Sequence, residues 1–174
     1  MKTRAGRCPC DKIAAVNFSR ITDDLFIGTT PLVKDYQRLH DLGVRLVINM
    51  RWEHRLRPDP HEQPLSLLWL RTIDSPFFPI PMRALQRGVL AALETIQAGE
   101  KVYAHCAGGR HRAVAMGAAI LIAQGHGARE AIELIKSKRR FADPDIFYIR
   151  NRVLRFARQW EKVKLIGHSR SFLE

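Results

Sequence analysis

The stretch Tyr103-Ala104-His105-Cys106-Ala107-Gly108-Gly109-Arg110-His111-Arg112 constrains this chain more than any other. Ahead of the cysteine, Lys101 to His105 is short and apolar, with Val102 and Tyr103 favouring a strand. Behind it, His111 to Gln124 is rich in Ala, Ile and Leu and predicts a helix. A cysteine and two glycines therefore occupy a tight turn between a strand end and a helix start. The first N–H groups of a helix have no partners within it, and the helix dipole adds partial positive charge there. Gly108 and Gly109 let the loop curl so that successive N–H groups point inward and form an anion site. Arg112 follows Cys106 by six residues, at the first helical turn, where its planar fork reaches two oxygens of a phosphate.

The same surroundings favour a thiolate at Cys106. A thiolate beneath a bound phosphate is a nucleophile, so the spacing describes covalent phosphoryl transfer without a metal or other cofactor. His105-Cys106, five intervening residues, then Arg112, with Gly109 between, resembles the active-site loop of cysteine-dependent protein phosphatases, nearest to their dual-specificity branch. The resemblance runs from about Phe18 to Val163. It implies an α/β fold with one mostly parallel sheet of four or five strands and helices on both faces. It also implies that Cys106 carries the phosphoryl group, and that Arg112 and the loop Ala107, Gly108, Gly109, Arg110, His111 bind its oxygens. His105 is expected to orient the loop and steady the thiolate by hydrogen bonding.

The leaving oxygen needs a proton as its bond breaks. Asp74 opens the loop Asp74-Ser75-Pro76-Phe77-Phe78-Pro79-Ile80-Pro81, whose three prolines exclude regular structure. In the family an aspartate about thirty residues before the cysteine is the acid; Asp74 stands 32 residues before Cys106, and Asp59 is the fallback. One position departs from the pattern. Ala113 follows the arginine where the family usually has Ser or Thr, whose hydroxyl helps the thiolate leave; either water or a loop N–H compensates, or the phosphocysteine accumulates and turnover is slow.

The rest of the chain reads as one catalytic domain, 17–164, between a basic arm, 1–16, and a tail, 165–174. Arg20 to Gly28 predicts two short strands around Asp23-Asp24, Pro31 to Leu42 a helix, and Val44 to Met50 a buried strand. Arg51 to Pro64 is loop, with His54, His61 and Glu62 expected to be solvated rather than metal ligands. Ser66 to Ile73 is a strand. Helices are expected at Met82–Ala98, Ala128–Lys138 and Ile146–Lys164, the last with a basic outer face. The basic run Lys136 to Arg140 fits a solvated helix end or a substrate contact equally well.

Twenty-nine Lys and Arg against 17 Asp and Glu give a net charge of +12, which attracts phosphorylated molecules, anionic lipid or RNA without choosing among them. No apolar run reaches membrane-spanning length, and three cysteines, two of them Cys8 and Cys10 in the arm, suggest a reducing cytoplasm rather than a disulfide scaffold. Three functions follow from the residues and the resemblance. The first is a phosphatase of phosphotyrosine, and of phosphoserine or phosphothreonine, on proteins. The second is the same chemistry on a phosphoinositide, phosphatidylglycerophosphate, an inositol phosphate or an RNA 5′ triphosphate, suggested by Arg110, His111 and the charge. The third is a phosphate-binding module with little turnover, suggested by Ala113.

Overall fold

Alternation along the strands sorts their side chains between two cores. In the computed structural model, which describes residues 16–171 and side chains through Lys162, five strands form one sheet. They are β1 (Phe18–Arg20), β2 (Leu25–Gly28), β3 (Val44–Arg51), β4 (Ser66–Thr72) and β5 (Lys101–His105), in the order β1-β2-β5-β3-β4. β1 pairs antiparallel with β2, and every other pairing is parallel. β5 lies at the centre, with Ala104 beside Ile27 and Ile48. Parallel neighbours bury both faces of such a strand, which is why β3 and β5 are apolar almost throughout.

On one face Leu25, Ile27, Ile48, Met50 and Ala104 meet the larger core, built with α2 (Met82–Gln97), α3 (Arg112–Ala123), α4 (Ala128–Lys138) and α5 (Phe147–Ser171). On the other, Phe26, Val47 and Tyr103 meet α1 (Tyr36–Asp41) and Leu56 and Leu65 of the 52–65 loop. α3 is buried from Arg112 to Ile122 because it sits between the sheet and the other helices. The expected single domain with a mostly parallel sheet and helices on both faces is what forms.

Two elements differ from expectation. Pro31 to Leu42 is a 3-10 turn at Val33–Asp35 followed by the six-residue α1, because Asp35 accepts from the Leu32 N–H at 2.9 Å and turns the chain before the helix starts. α5 continues to Ser171, past the expected end at Lys164. Cys8, Cys10 and most of the basic arm lie outside the described residues.

Because β2, β3, β4 and β5 run parallel, their C-terminal ends open on one edge of the sheet. Thr30, Arg51, Asp74 and Cys106 all leave from that edge, which is where ligands bind in open α/β sheets.

Candidate active site

Cys106 leaves the end of β5, and the chain bends through His111 before α3 begins at Arg112. Five of the six carbonyls from Cys106 to His111 are engaged. Thr30 Oγ1 donates to Cys106 O at 3.2 Å, Arg139 Nη2 to Gly108 O at 3.2 Å, and Arg139 Nε to Gly109 O at 2.7 Å. The Asp143 N–H donates to Arg110 O at 3.0 Å, and the Ala115 N–H to His111 O at 2.9 Å. The N–H groups from Ala107 to His111 donate to no other group among the described residues. With most of its carbonyls satisfied elsewhere, the loop's unpaired donors are left for an anion. Gly109 makes the curl possible: its φ is +62°, and a Cβ there would stand 2.5 Å from Gly28 O and 2.6 Å from Arg139 Nη2.

Cys106 lies at the floor, 1% exposed, with Ala107 and Gly108 exposed above it. Arg112 is buried and anchored at the ends of the neighbouring strands. Its Nη1 donates to Thr72 O at 2.8 Å and to Met50 O at 3.3 Å. Its Nε has no hydrogen-bond partner among the described residues and lies 3.5 Å from Asp74 Oδ2. A buried guanidinium held by one nitrogen, with Nε unengaged, is a donor kept ready for an oxyanion.

Asp74 folds back over this donor. Its Oδ1 accepts from Tyr148 Oη at 2.8 Å, and its Oδ2 stands 3.2 Å from His111 Nδ1. Tyr148 is held in its phenol form, its pKa raised by burial and then by its bond to Asp74. The carboxylate thus meets the loop through three side chains, two of them on the loop or the first turn of α3. Asp59 does not approach the loop. Its side chain is fully buried and accepts from His40 Nε2 at 2.7 Å, His61 Nδ1 at 2.5 Å, and the N–H groups of Leu65 and His61. Burial alone would raise its pKa, but those hydrogen bonds, from His61 first, hold it well below the usual carboxylate range. It pins the 52–65 loop to α1 and is no alternative proton donor for the cysteine loop.

That cluster corrects the expectation for His61, which is bound to Asp59 rather than free in solvent. His40, Asp59 and His61 offer ligand atoms within 4.8 Å of one another. Arg45 Nη1, however, lies 3.1 Å from His40 Nδ1, so Nδ1 accepts and Nε2 carries the proton given to Asp59. A hydrogen-bonded hub accounts for all three residues.

His105 differs from expectation. Its ring is wholly buried and stacked on Tyr103 at 6.0 Å between centroids, and neither ring nitrogen has a partner among the described residues. Burial pushes its pKa down to about 3, the adjacent Cys106 main chain pulling only weakly the other way. It is a neutral packing group under the loop, not a hydrogen-bonding one. His111 Nδ1 lies 3.2 Å from both Asp74 Oδ2 and Tyr148 Oη, whereas Arg110 is exposed. Ala113 is fully buried in the first turn of α3. The hydroxyl brought to Cys106 is that of Thr30, which bonds its carbonyl and accepts from Arg51 Nη1 at 3.0 Å.

Two further residues were not singled out by the sequence. Tyr148 reads as an ordinary first-turn residue of α5. Arg139 sits in the basic run Lys136 to Arg140, yet it is 1% exposed and grips the loop, neither solvated nor free for substrate. An arginine at the end of a helix, followed by an Asp-Pro-Asp turn, carries no local sign of that burial.

No protein-family model matches the chain. It is 36% identical over 127 residues to the rat phosphatidylglycerophosphatase and protein-tyrosine phosphatase 1, a match covering 68% of this chain and 65% of that relative. The chain therefore spans just under two thirds of the length of that relative. It is 26% identical over 130 residues to mouse dual specificity phosphatase 28, covering 74% of this chain and 77% of the relative. Among solved structures, PTPMT1 in complex with PI(5)P superposes with a TM-score of 0.73 at 27% identity, covering 84% of this chain and 98% of that one. Human DUSP28 superposes at 0.72 with 21% identity, covering 83% and 95%. With the Cys106 loop, the sheet order and these relatives in agreement, the chain belongs to the cysteine-dependent phosphatase superfamily, in its dual-specificity-like branch.

Proposed function

We propose that this chain hydrolyses phosphomonoesters through a phosphocysteine, with phosphotyrosine and dual-specificity protein substrates as the first reading. The observation that carries it is the loop from Cys106 to Arg112, where five of the six carbonyls from Cys106 to His111 are bonded elsewhere while the N–H groups from Ala107 to His111 donate to no other group among the described residues.

In the first step the Cys106 thiolate attacks phosphorus and the ester P–O bond breaks. The departing oxygen takes a proton from Asp74. The N–H groups of Ala107 to Arg112 and the Arg112 guanidinium hold the three equatorial oxygens as charge spreads over them. In the second step Asp74, now a carboxylate, takes a proton from water. The water oxygen bonds to phosphorus, the P–S bond breaks, and phosphate leaves with the thiolate restored.

The test is release of p-nitrophenol from p-nitrophenyl phosphate with a chelator present. Steady turnover that is abolished in Cys106→Ser and unaffected by the chelator supports the reading. No release from the wild-type chain favours a phosphate-binding module, the alternative that Ala113 suggests.

A second reading takes a lipid-borne phosphate as substrate. It is favoured by the relatives, one named for both phosphatidylglycerophosphate and protein phosphotyrosine and another solved with PI(5)P bound. Exposed Arg110 beside the loop adds cationic reach for a polyanionic headgroup. Comparing kcat/KM for phosphotyrosyl peptides, phosphoinositides, phosphatidylglycerophosphate and triphosphate RNA separates the readings. The proposed setting is the cytoplasm, as a thiolate nucleophile requires reducing conditions.

A further inference from the structure

The large apolar side chains left exposed are not scattered. Eight are exposed among the described residues, and seven of them stand on the edge where the Cys106 loop opens. Leu32 follows β2, and Trp52 follows β3. Ile73, Phe77 and Phe78 follow β4 on the Asp74 loop, with Phe77 85% exposed and Phe78 63%. Phe141 lies in the connection from α4 to α5, which meets the cysteine loop through Asp143 and Arg110, and Phe147 opens α5 beside Tyr148, which bonds Asp74. The exception is Leu90, on the outer face of α2.

Cations are interleaved with these rings. Arg71 has a left-handed φ of 46°, unusual for a residue with a side chain. Its guanidinium lies 4.5 Å from the Trp52 ring centre and 5.0 Å from that of Trp69, stacking that offsets the backbone strain. A shallow cavity of about 270 Å³ opens beside it, lined by Trp52, Phe77, Phe78 and Pro81. Arg110, on the cysteine loop, and Arg140, next to Phe141, are exposed as well.

A ring of aromatic and cationic side chains around an opening matches the headgroup layer of an anionic bilayer, where aromatic side chains settle and arginines meet lipid phosphates. The net charge of +12 favours the same partner. We propose that this collar docks the molecule mouth-down on anionic membrane surfaces, with Phe77 and Phe78 entering the headgroup layer and the cysteine loop facing the lipid phosphates. It rests on the reading that the loop hydrolyses a phosphomonoester, since docking in this orientation delivers such groups to it.

The test uses the full chain and phosphatidylcholine vesicles doped with phosphatidylserine, which carries no phosphomonoester and so reports docking apart from reaction. Co-sedimentation is expected with doped vesicles and not with pure phosphatidylcholine. Phe77→Ser combined with Phe78→Ser should lower the partition coefficient on the order of tenfold and leave p-nitrophenyl phosphate turnover at the wild-type value. That unchanged turnover also certifies the fold. Failure of the wild-type chain to bind doped vesicles, or full binding by the double variant, would overturn the proposal. So would a double variant that binds vesicles normally but shows a raised KM for a phosphotyrosyl peptide alone, because the collar would then be a peptide-docking surface. Lack of turnover with intact vesicle binding would instead count against the hydrolase reading and leave docking standing.

Discussion

Gly109 tests the loop at the scale of one residue. A methyl group there meets Gly28 O and Arg139 Nη2 at distances no side chain tolerates, on a backbone already at positive φ. Gly109→Ala is expected to lower stability by about 2 kcal/mol and turnover by more than tenfold, read by chemical unfolding and p-nitrophenyl phosphate kinetics. Arg139 tests the same loop from behind. Arg139→Met leaves the carbonyls of Gly108 and buried Gly109 without their donor, costing about 2 kcal/mol, and Arg139→Lys restores the charge without the fork. Both should lower kcat, with the lysine variant between methionine and wild type; equal activity in all three would refute the clamp. His105 gives a pH signature. Its pKa is about 3 in the fold against an ordinary value of 6.5, so the unfolded chain takes up a proton that the folded one refuses. The contribution is fully present above the unfolded value and is lost as pH falls through the window from 6.5 toward 3. Unfolding free energy should therefore fall by up to about 1.4 kcal/mol per pH unit on acidification from 6.5, a slope that His105→Asn removes. Asp59, whose pKa is likewise lowered, loses its contribution only as pH falls below its ordinary value of 3.8.

At the scale of elements, the site is assembled by the Asp74 loop and the start of α5. Tyr148 ties them, donating to Asp74 at 2.8 Å. Tyr148→Phe removes one hydrogen bond to the acid, worth about 1 kcal/mol, and should lower kcat several-fold while leaving unfolding nearly unchanged. An unchanged kcat would mean that Tyr148 does not position the acid. The elements also divide what was legible in the sequence from what was not. Strand β5, the glycine turn and helix α3 announce themselves because their signals are local: apolar run, glycine pair, helix formers. The place of Asp74 on a stiff loop after β4 was readable from the three prolines that follow it. Arg139 and Tyr148 were not, because their roles depend on how the chain returns across the sheet edge after α4. The His40–Asp59–His61 hub was hidden for the same reason, its members separated by up to 21 positions and joined only when the 52–65 loop lies on α1.

Taken as a whole molecule, the fold places four parallel strand ends on one edge and leaves its exposed aromatics there too. The excess of cations predicts that affinity for polyanionic substrates weakens as salt rises, while p-nitrophenyl phosphate, a small dianion, is less affected. KM measured against ionic strength for both substrate types checks this. The most direct test of the central claim is to quench the wild-type chain with acid during turnover of p-nitrophenyl phosphate and map the bound phosphoryl group by peptide mass spectrometry. The account predicts one phosphoryl group on the Cys106 peptide, absent in Cys106→Ser. Turnover at the wild-type rate in Cys106→Ser, or a phosphoryl group found on another residue, would contradict it.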